Sequence, residues 1–499
     1  IFLKDKNGLS NIDPVEYTIK TIIDEYPTVE IIAPGKNIDL SGDMKLDLLT
    51  RIKDDFGFSN LRLAYRLAQS KYERPADEFT FIDIPLTDKN QNKIDSWYHW
   101  DLTSMNLVPE DILSYYVEVC DNDNVSGPKS ARSQTFIVRL PSLEEVFSDI
   151  SQTHEQSMES MQSVAKEAEQ LKKDIEEMNR EMKKSGDKTD WQQQKKAEEM
   201  LQRYDALKKK IDETTQKIDE MIKKMDENKL LSPQTMEKYQ ELQKLMEKLN
   251  SPELRDALKK FQESMKQISP EQMKQSMEQM KMTEEQFRQN LERTIELLKR
   301  IHIEQKLDEL IKRTEELTKL QETLKQEASK TTSSDKQKRE ELSKRQEDLQ
   351  KQLEALEKET SSLKKKMEEF PKEMPLDEIS QAEQKLRDSQ TGKKMQQSIM
   401  QMQSGNMKAA QQTQEETKNN LDEFKQQLEK AQQALRDSQM KQIVNEIRRQ
   451  LANVLELSER QESLKDDMKK TDPNSQRFRE NAQKQKEVMN DLSNITNAL

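Results

Sequence analysis

The stretch Leu342–Phe370, LSKRQEDLQKQLEALEKETSSLKKKMEEF, decides the fold. Leu342, Leu349, Leu353, Leu356, Leu363, Met367 and Phe370 recur at helical spacing, with Thr360 keeping the step. Such spacing lays a narrow apolar seam along one side of a helix and leaves the remaining surface charged. The same texture extends from about Leu143 to Leu499, where only three of the eight glycines fall. Lys, Glu, Gln, Met and Leu dominate there, and their unbranched side chains lose little rotamer freedom in a helix. A helix with one seam cannot bury it alone. The reading is therefore long, paired, coiled-coil-like helices.

Upstream the period changes from three-to-four to two. Met44, Leu46, Leu48, Thr50 and Ile52 alternate with mostly polar neighbours, as do Leu61, Leu63, Tyr65 and Leu67, and Leu113, Tyr115, Val117 and Val119. Alternation buries one face of a strand and wets the other. With runs near Thr28–Ile32, Phe79–Ile84, Trp97–Leu102 and Thr135–Leu140, about seven strands are predicted, in the rhythm of an immunoglobulin-like or fibronectin-like sandwich. Tyr115, at the start of the penultimate strand, suits a tyrosine corner whose hydroxyl ties back to the preceding loop. Asp5-Lys6-Asn7-Gly8-Leu9-Ser10 resembles Asp121-Asn122-Asp123-Asn124-Val125-Ser126. This weak repeat, with the strand-like Tyr17–Ile23, marks residues 1–26 as the terminal hairpin of a truncated preceding sandwich. Pro27 is then the junction.

Pro141 ends the β part and Ser142 caps a helix that carries Glu144 and Glu145 in its first turn. The expected organisation is multidomain, β then α. Residues 27–141 form the sandwich and 142–229 a helical hairpin turning at Ser185–Asp190. Residues 230–282 form short helices opened by Ser232-Pro233, Ser251-Pro252 and Ser269-Pro270; 283–370 form a second hairpin turning at Thr331–Ser334; 371–499 form further helices. In the first hairpin Leu207, Ile211, Ile218, Ile222 and Met225 are expected to face Ala165, Ala168, Ile175, Met178 and Met182.

Hydrophobic residues at 32% and charged residues at 36% suit long wet helices better than one large core. The net charge of −12 argues against nucleic-acid binding. The single cysteine, Cys120, allows no internal disulfide. No run of about 18 apolar residues is present to span a membrane. The chain starts at Ile1 rather than Met, within a patterned segment, so it reads as a fragment, and the lack of a signal or anchor is no evidence of a cytosolic protein.

Chemistry-bearing motifs are sparse. His99, His154 and His302 are scattered, and with one cysteine they give neither metal-ligand nor Cys/His spacing. His302, among Leu298, Ile301 and Ile303, reads as a flank of the seam. Asp54 and Asp55 in one loop and Asp121 and Asp123 in another would share one end of a sandwich, where four carboxylates could hold Ca²⁺. The competing reading, which is favoured, is that they shape turns through local hydrogen bonds. Methionines at Met265, Met273, Met277, Met280 and Met282, and at Met395, Met400, Met402 and Met407, could bind Cu(I) or grip a partner, but read first as core packing. No catalytic residue or cofactor site is expected.

Asp54-Asp55-Phe56-Gly57 leading into Leu61-Arg62-Leu63-Ala64-Tyr65, Tyr115-Tyr116-Val117-Glu118-Val119 running into Asp121-Asn122-Asp123, and Arg139-Leu140-Pro141-Ser142-Leu143 form a recognisable set. Ser251-Pro252-Glu253-Leu254 and Leu291-Glu292-Arg293-Thr294-Ile295-Glu296-Leu297-Leu298-Lys299-Arg300 complete it. Together they resemble the bacterial family catalogued as domain of unknown function 4175, over nearly the whole chain. The resemblance implies N-terminal transmembrane helices, an extracytoplasmic β-sandwich and a long helical region, with no known catalytic residue. The resulting expectation is a non-enzymatic structural or scaffolding protein on the periplasmic side of the bacterial inner membrane. Its protein partners would meet helical seams, and it could form a homo-oligomer. The alternatives are an adhesion or binding module on a helical stalk, or the regulatory part of a larger envelope complex.

Overall fold

A computed structural model describes residues 2–498 apart from 15, 19, 21, 22, 106, 126, 186–190, 267–269 and 471–474. The chain divides into two compact units: residues 1–150 with 223–229, and residues 151–222 with 230–499. It is 66% helical and 13% strand, and among the described residues the strands fall in the N-terminal part.

Among the described residues the first unit holds nine strands: β1 (Thr28–Ala33), β2 (Ile38–Asp39), β3 (Lys45–Lys53), β4 (Phe58–Gln69), β5 (Thr80–Asp83), β6 (Lys93–Asp101), β7 (Ile112–Asp121), β8 (Ser130–Arg132) and β9 (Phe136–Arg139). All seven predicted strands are present. The two unanticipated ones, β2 and β8, are too short to show a period. One sheet has the order β1-β3-β6 and the other β2-β9-β7-β4-β5, with β8 also on β7. The alternating residues of both sheets share one core. Leu48, Ile52 and Trp100 come from the first sheet, and Leu61, Leu63, Tyr115, Val117 and Val119 from the second. Tyr115 is buried, but it makes no tyrosine corner. Its ring lies between Trp100 and Phe136, at 5.6 and 6.2 Å between centroids. Its hydroxyl therefore points into apolar surroundings and has no hydrogen-bond partner among the described residues. Burial pushes its pKa up to about 12.

Residues 2–26 depart from expectation too. A tight turn closes at Asp5–Gly8, and Lys4 bridges Ser10. The small hairpin thus returns at Ser10-Asn11 rather than at Tyr17–Ile23, because Asp5 accepts the amides of Asn7 and Leu9 and folds the chain back at once. No described residue of Tyr17–Ile23 is in a strand; Ile19, Thr21 and Ile22 lie outside the described residues.

Helix begins at the expected place. α1 (Leu143–Ser185) starts after Ser142, whose hydroxyl accepts the amide of Glu145 at 3.1 Å. α2 (Trp191–Glu227) runs antiparallel to it. Lys196 meets Glu177 and Glu181, Arg203 meets Asp174, Lys210 meets Glu167, and Ser160 meets Thr214. Leu207, Ile211, Ile218 and Met225 are buried, as are Ala168, Ile175 and Met178, whereas Ala165, Met182 and Ile222 are half-buried. The turn expected at 185–190 lies almost wholly outside the described residues.

The remaining helices are α3 (Pro233–Leu249), α4 (Glu253–Lys266), α5 (Pro270–Lys330), α6 (Lys336–Met367), α7 (Leu376–Asp388), α8 (Thr391–Gln403), α9 (Met407–Lys469) and α10 (Gln476–Ala498). The third short helix does not exist as a separate piece. α5 runs through residue 283 without a break, since no Gly or Pro lies between 271 and 330 and the Thr283 hydroxyl bonds its own i−4 carbonyl. α5 is also more than one arm of a hairpin. It packs against α3, α4, α6 and α9, and residues 301–311 are buried almost all round. The seam that opened the reading is buried as expected: Leu342, Leu349, Leu353, Leu356, Thr360, Leu363 and Met367 all face the core. Met277, Met280, Met395, Met402 and Met407 are buried, Met282 and Met400 are exposed, and the side chains of Met265 and Met273 lie outside the described residues. No described helix is long and apolar enough to cross a membrane.

Candidate functional site

The two acidic loops of the β unit do meet, joined by Asn122, whose amide nitrogen donates to Gly57 and side chain to Phe56. Their carboxylates have other work than metal ligation. Asp54 accepts the amides of Phe56 and Gly57 at 3.0 and 2.8 Å. Asp121 accepts those of Asp123 and Lys129, and Asp123 that of Val125. Asp55 faces the amide of Glu25. The Lys129 ammonium pairs with Asp24 and stands 3.7 Å from Asp121 and 3.8 Å from Asp123. A cation is already built in, and one oxygen each of Asp54, Asp121 and Asp123 shapes a turn, whereas Asp54 Oδ1, Asp55 Oδ1 and Asp121 Oδ2 are buried with no hydrogen-bond partner among the described residues. Among the described residues no group of three His, Cys, Asp or Glu side chains is placed to hold a metal ion. The four carboxylates Asp54, Asp55, Asp121 and Asp123 thus come to one end of the β unit, and Asp54, Asp121 and Asp123 each shape a turn there.

The helical unit holds a feature that sequence spacing did not reveal. His154 of α1 stacks on His302 of α5, with ring centroids 4.5 Å apart and planes 22° from parallel. His154 Nε2 lies 3.1 Å from the Leu298 carbonyl. A carbonyl only accepts, so that nitrogen carries the proton. His302 Nε2 lies 2.6 Å from Lys366 Nζ. An ammonium only donates, so that nitrogen is bare and the His302 proton sits on Nδ1. Both Nδ1 atoms are buried with no hydrogen-bond partner among the described residues. Burial lowers the His154 pKa to about 4; burial, with the neighbouring His154 and Lys366, lowers that of His302 to about 2. Burial also lowers the pKa of Lys366, which stands 3.7 Å from Glu155. Beside the pair opens a cavity of about 320 Å³, lined by Glu155, Met158, Lys299, Lys366, Glu369 and Phe370 among others. The histidines are far apart in the chain and each sits in an ordinary helical pattern, so no local signal joined them. His302 is buried, not a flank. His99, by contrast, is exposed on β6 with Asp47 at 2.5 Å.

A second polar constellation runs along α5. Glu304 pairs with Lys238 of α3 and accepts from Gln439 of α9. Asp308 accepts the Ser232 amide at 2.8 Å and the Gln432 side chain at 2.5 Å. Arg313 binds Glu309 on its own helix and Glu359 of α6. Burial raises the pKa values of Glu304, Asp308 and Glu309, and takes Glu316 to about 7. One signal for this was available. Ile301 and Ile303 cannot share a single seam, so their pairing within two residues already implied a helix covered on more than one side.

The chain matches no protein-family model, no curated protein and no solved structure.

Proposed function

We propose that this chain is the extracytoplasmic part of a membrane-anchored, non-enzymatic scaffold of the bacterial cell envelope. It joins an immunoglobulin- or fibronectin-like sandwich to an arm of long antiparallel, coiled-coil-like helices. The observation that carries the structural reading is the use of buried charge on α5. Glu304 and Asp308 fasten α5 to α3 or its cap and to α9, and Arg313 fastens it to α6, as a register-setting frame does. The strand orders β1-β3-β6 and β2-β9-β7-β4-β5, around one core, support the sandwich reading. The envelope location and the anchor rest on the resemblance to the uncharacterised bacterial family. Protein partners would engage helical seams, and the net charge of −12 disfavours nucleic acid.

The test uses the full-length protein, tagged at its C-terminus, in its native bacterium. Protease added to spheroplasts should digest the helical part, and protease added to intact cells should not. Protection in spheroplasts, with digestion only after lysis, would overturn the proposal. A second reading, a binding module, draws support from the cavity beside His154 and the two unpartnered imidazole nitrogens that face buried space. A small molecule that raises the melting temperature of the chain but not of a Lys366→Met variant would favour it.

A further inference from the structure

The sheet β1-β3-β6 has two edges, and only one of them is guarded. β1 carries a register shift between Ile31 and Ala33 and runs into Pro34. In the other sheet the outlying strands β2, β5 and β8 have two, four and three residues. Short strands, irregular pairing and proline are ordinary means of keeping a sheet edge from recruiting another strand. β6 has none of these. It is nine residues long, holds neither Gly nor Pro, and pairs with β3 from Lys93 to Asp101 without a shift. The Asp54 amide bonds the Asn92 carbonyl and the Leu102 amide bonds the Met44 carbonyl. The even-numbered residues of β6 therefore turn their backbone groups to β3. Lys93, Asp95, Trp97, His99 and Asp101 turn theirs to the outer edge, where no strand pairs with them among the described residues. The side chains of these five are all exposed, Trp97 by 59%.

We propose that this edge pairs with the same edge of a second copy of the chain, antiparallel, about a two-fold axis at Trp97, joining the two three-stranded sheets into one. The edge is its own complement. With Trp97 on Trp97, Asp95 comes opposite His99 of the other copy, and Lys93 opposite Asp101. A slip by two residues spoils this, setting Asp95 on Asp101 in one direction and Lys93 on His99 in the other. A parallel pair in register would set each charge against its own like. The groups also keep the partners they have. Asp95 stays on Arg51 at 2.8 Å and His99 on Asp47 at 2.5 Å, so the join makes a continuous row of Arg51, Asp95, His99 and Asp47. Asp101 comes to the end where Lys53 and Lys93 face each other across β3 and β6. Opposite charges paired across strands stabilise a sheet, and like charges destabilise it. Such a contact is isologous, closes on itself and leaves β6 with no open edge. This inference rests on the sheet edge and is independent of the envelope scaffold reading.

The test is sedimentation of the whole chain, with cross-linking. The wild type should form a dimer. Lys93→Asp and Asp101→Lys, each alone, set like charges together at both ends of the contact and should weaken the dimer by at least about 10-fold. Mixing the two variants should restore it, because every lysine then meets an aspartate. Fluorescence of buried Trp100 should be unchanged in both, which shows the β unit still folded. In a Cys120→Ser background, Trp97→Cys should oxidise to a covalent dimer. His99→Cys should not link to itself but should link to an Asp95→Cys chain. A monomer at about 100 µM, a mixture that associates no better than either variant alone, or self-linking of His99→Cys would each overturn the proposal.

Discussion

Burial and two neighbouring lysines hold His154 and His302 neutral against the pull of nearby carboxylates. Lys366 and Lys306 bring positive charge to them, Glu155 and Glu369 stand at the cavity, and burial penalises any proton added. In the unfolded chain a histidine titrates near pH 6.5; in the fold these two titrate at about 4 and about 2. Their contribution is therefore complete above pH 6.5 and is lost as pH falls toward 4. Between pH 8 and pH 5 the cost is about 2 kcal/mol per histidine. Burial raises Glu284 and Glu316 to about 7, so their contribution runs the other way, present below the ordinary carboxylate range and lost as pH rises through 7. Urea titrations of wild type and of a His154→Gln, His302→Gln variant at both pH values cancel the glutamates. The wild type should lose the larger amount of stability on acidification. Equal losses would show that the pair is not held neutral. At Arg313 the expectation is sharper. Arg313→Ala removes one of the two cations on buried Glu309, Lys306 remaining at 2.8 Å, and unties Glu359 of α6; it should cost about 1.5–3 kcal/mol, whereas Arg313→Met, whose stem still packs, should cost less. A loss under 1 kcal/mol for the alanine variant, measured by urea unfolding, would contradict this account.

At the scale of elements, what could be read in advance was whatever is local. The caps at Ser142 and Ser232, the turn at Thr331–Ser334 and the stripe from Leu342 to Met367 each depend on residues a few positions apart. Ser232→Ala removes the bond to the Thr235 amide and should destabilise the helical unit by about 1 kcal/mol in thermal or urea unfolding. The stacking of His154 on His302 and the polar sleeve around α5 were not legible, because they depend on which helices become neighbours. Gln346 illustrates the difference. It sits within the stripe as one more polar residue, yet in the fold it accepts from Gln321 and Gln414 in a buried amide network. Gln346→Leu should keep the helix and still cost about 2–4 kcal/mol, by leaving two buried amides short of a partner. The carboxylates at Asp54 and Asp121 were legible as turn formers by type. Which of them would meet Lys129 was not.

At the scale of the molecule, two compact units imply two transitions. Trp100 is buried in the β unit, whereas Trp97 and Trp191 are exposed, so tryptophan fluorescence follows mainly that unit and helical circular dichroism the other. The two melting curves should not coincide, and coincidence would mean one cooperative block. Millimolar calcium should leave the fluorescence transition where it is, since Lys129 already serves the acidic end. A strong upward shift, lost in Asp121→Asn, would return the loops to metal binding.

The polar sleeve of α5 also has a consequence for synthesis. Glu304 and Asp308 leave the ribosome early, and the side chains that complete them, Gln439 and Gln432, follow 135 and 124 residues later. At ordinary elongation rates that is a wait on the order of ten seconds. During it Glu304 has only Lys238 and Asp308 only the Ser232 cap, both made earlier, so that flank of α5 lacks its α9 cover. Only when α9 emerges does dehydrating those charges become favourable. The residues least expected in a protein interior would then set the order of assembly, holding the bundle open until its last long helix arrives.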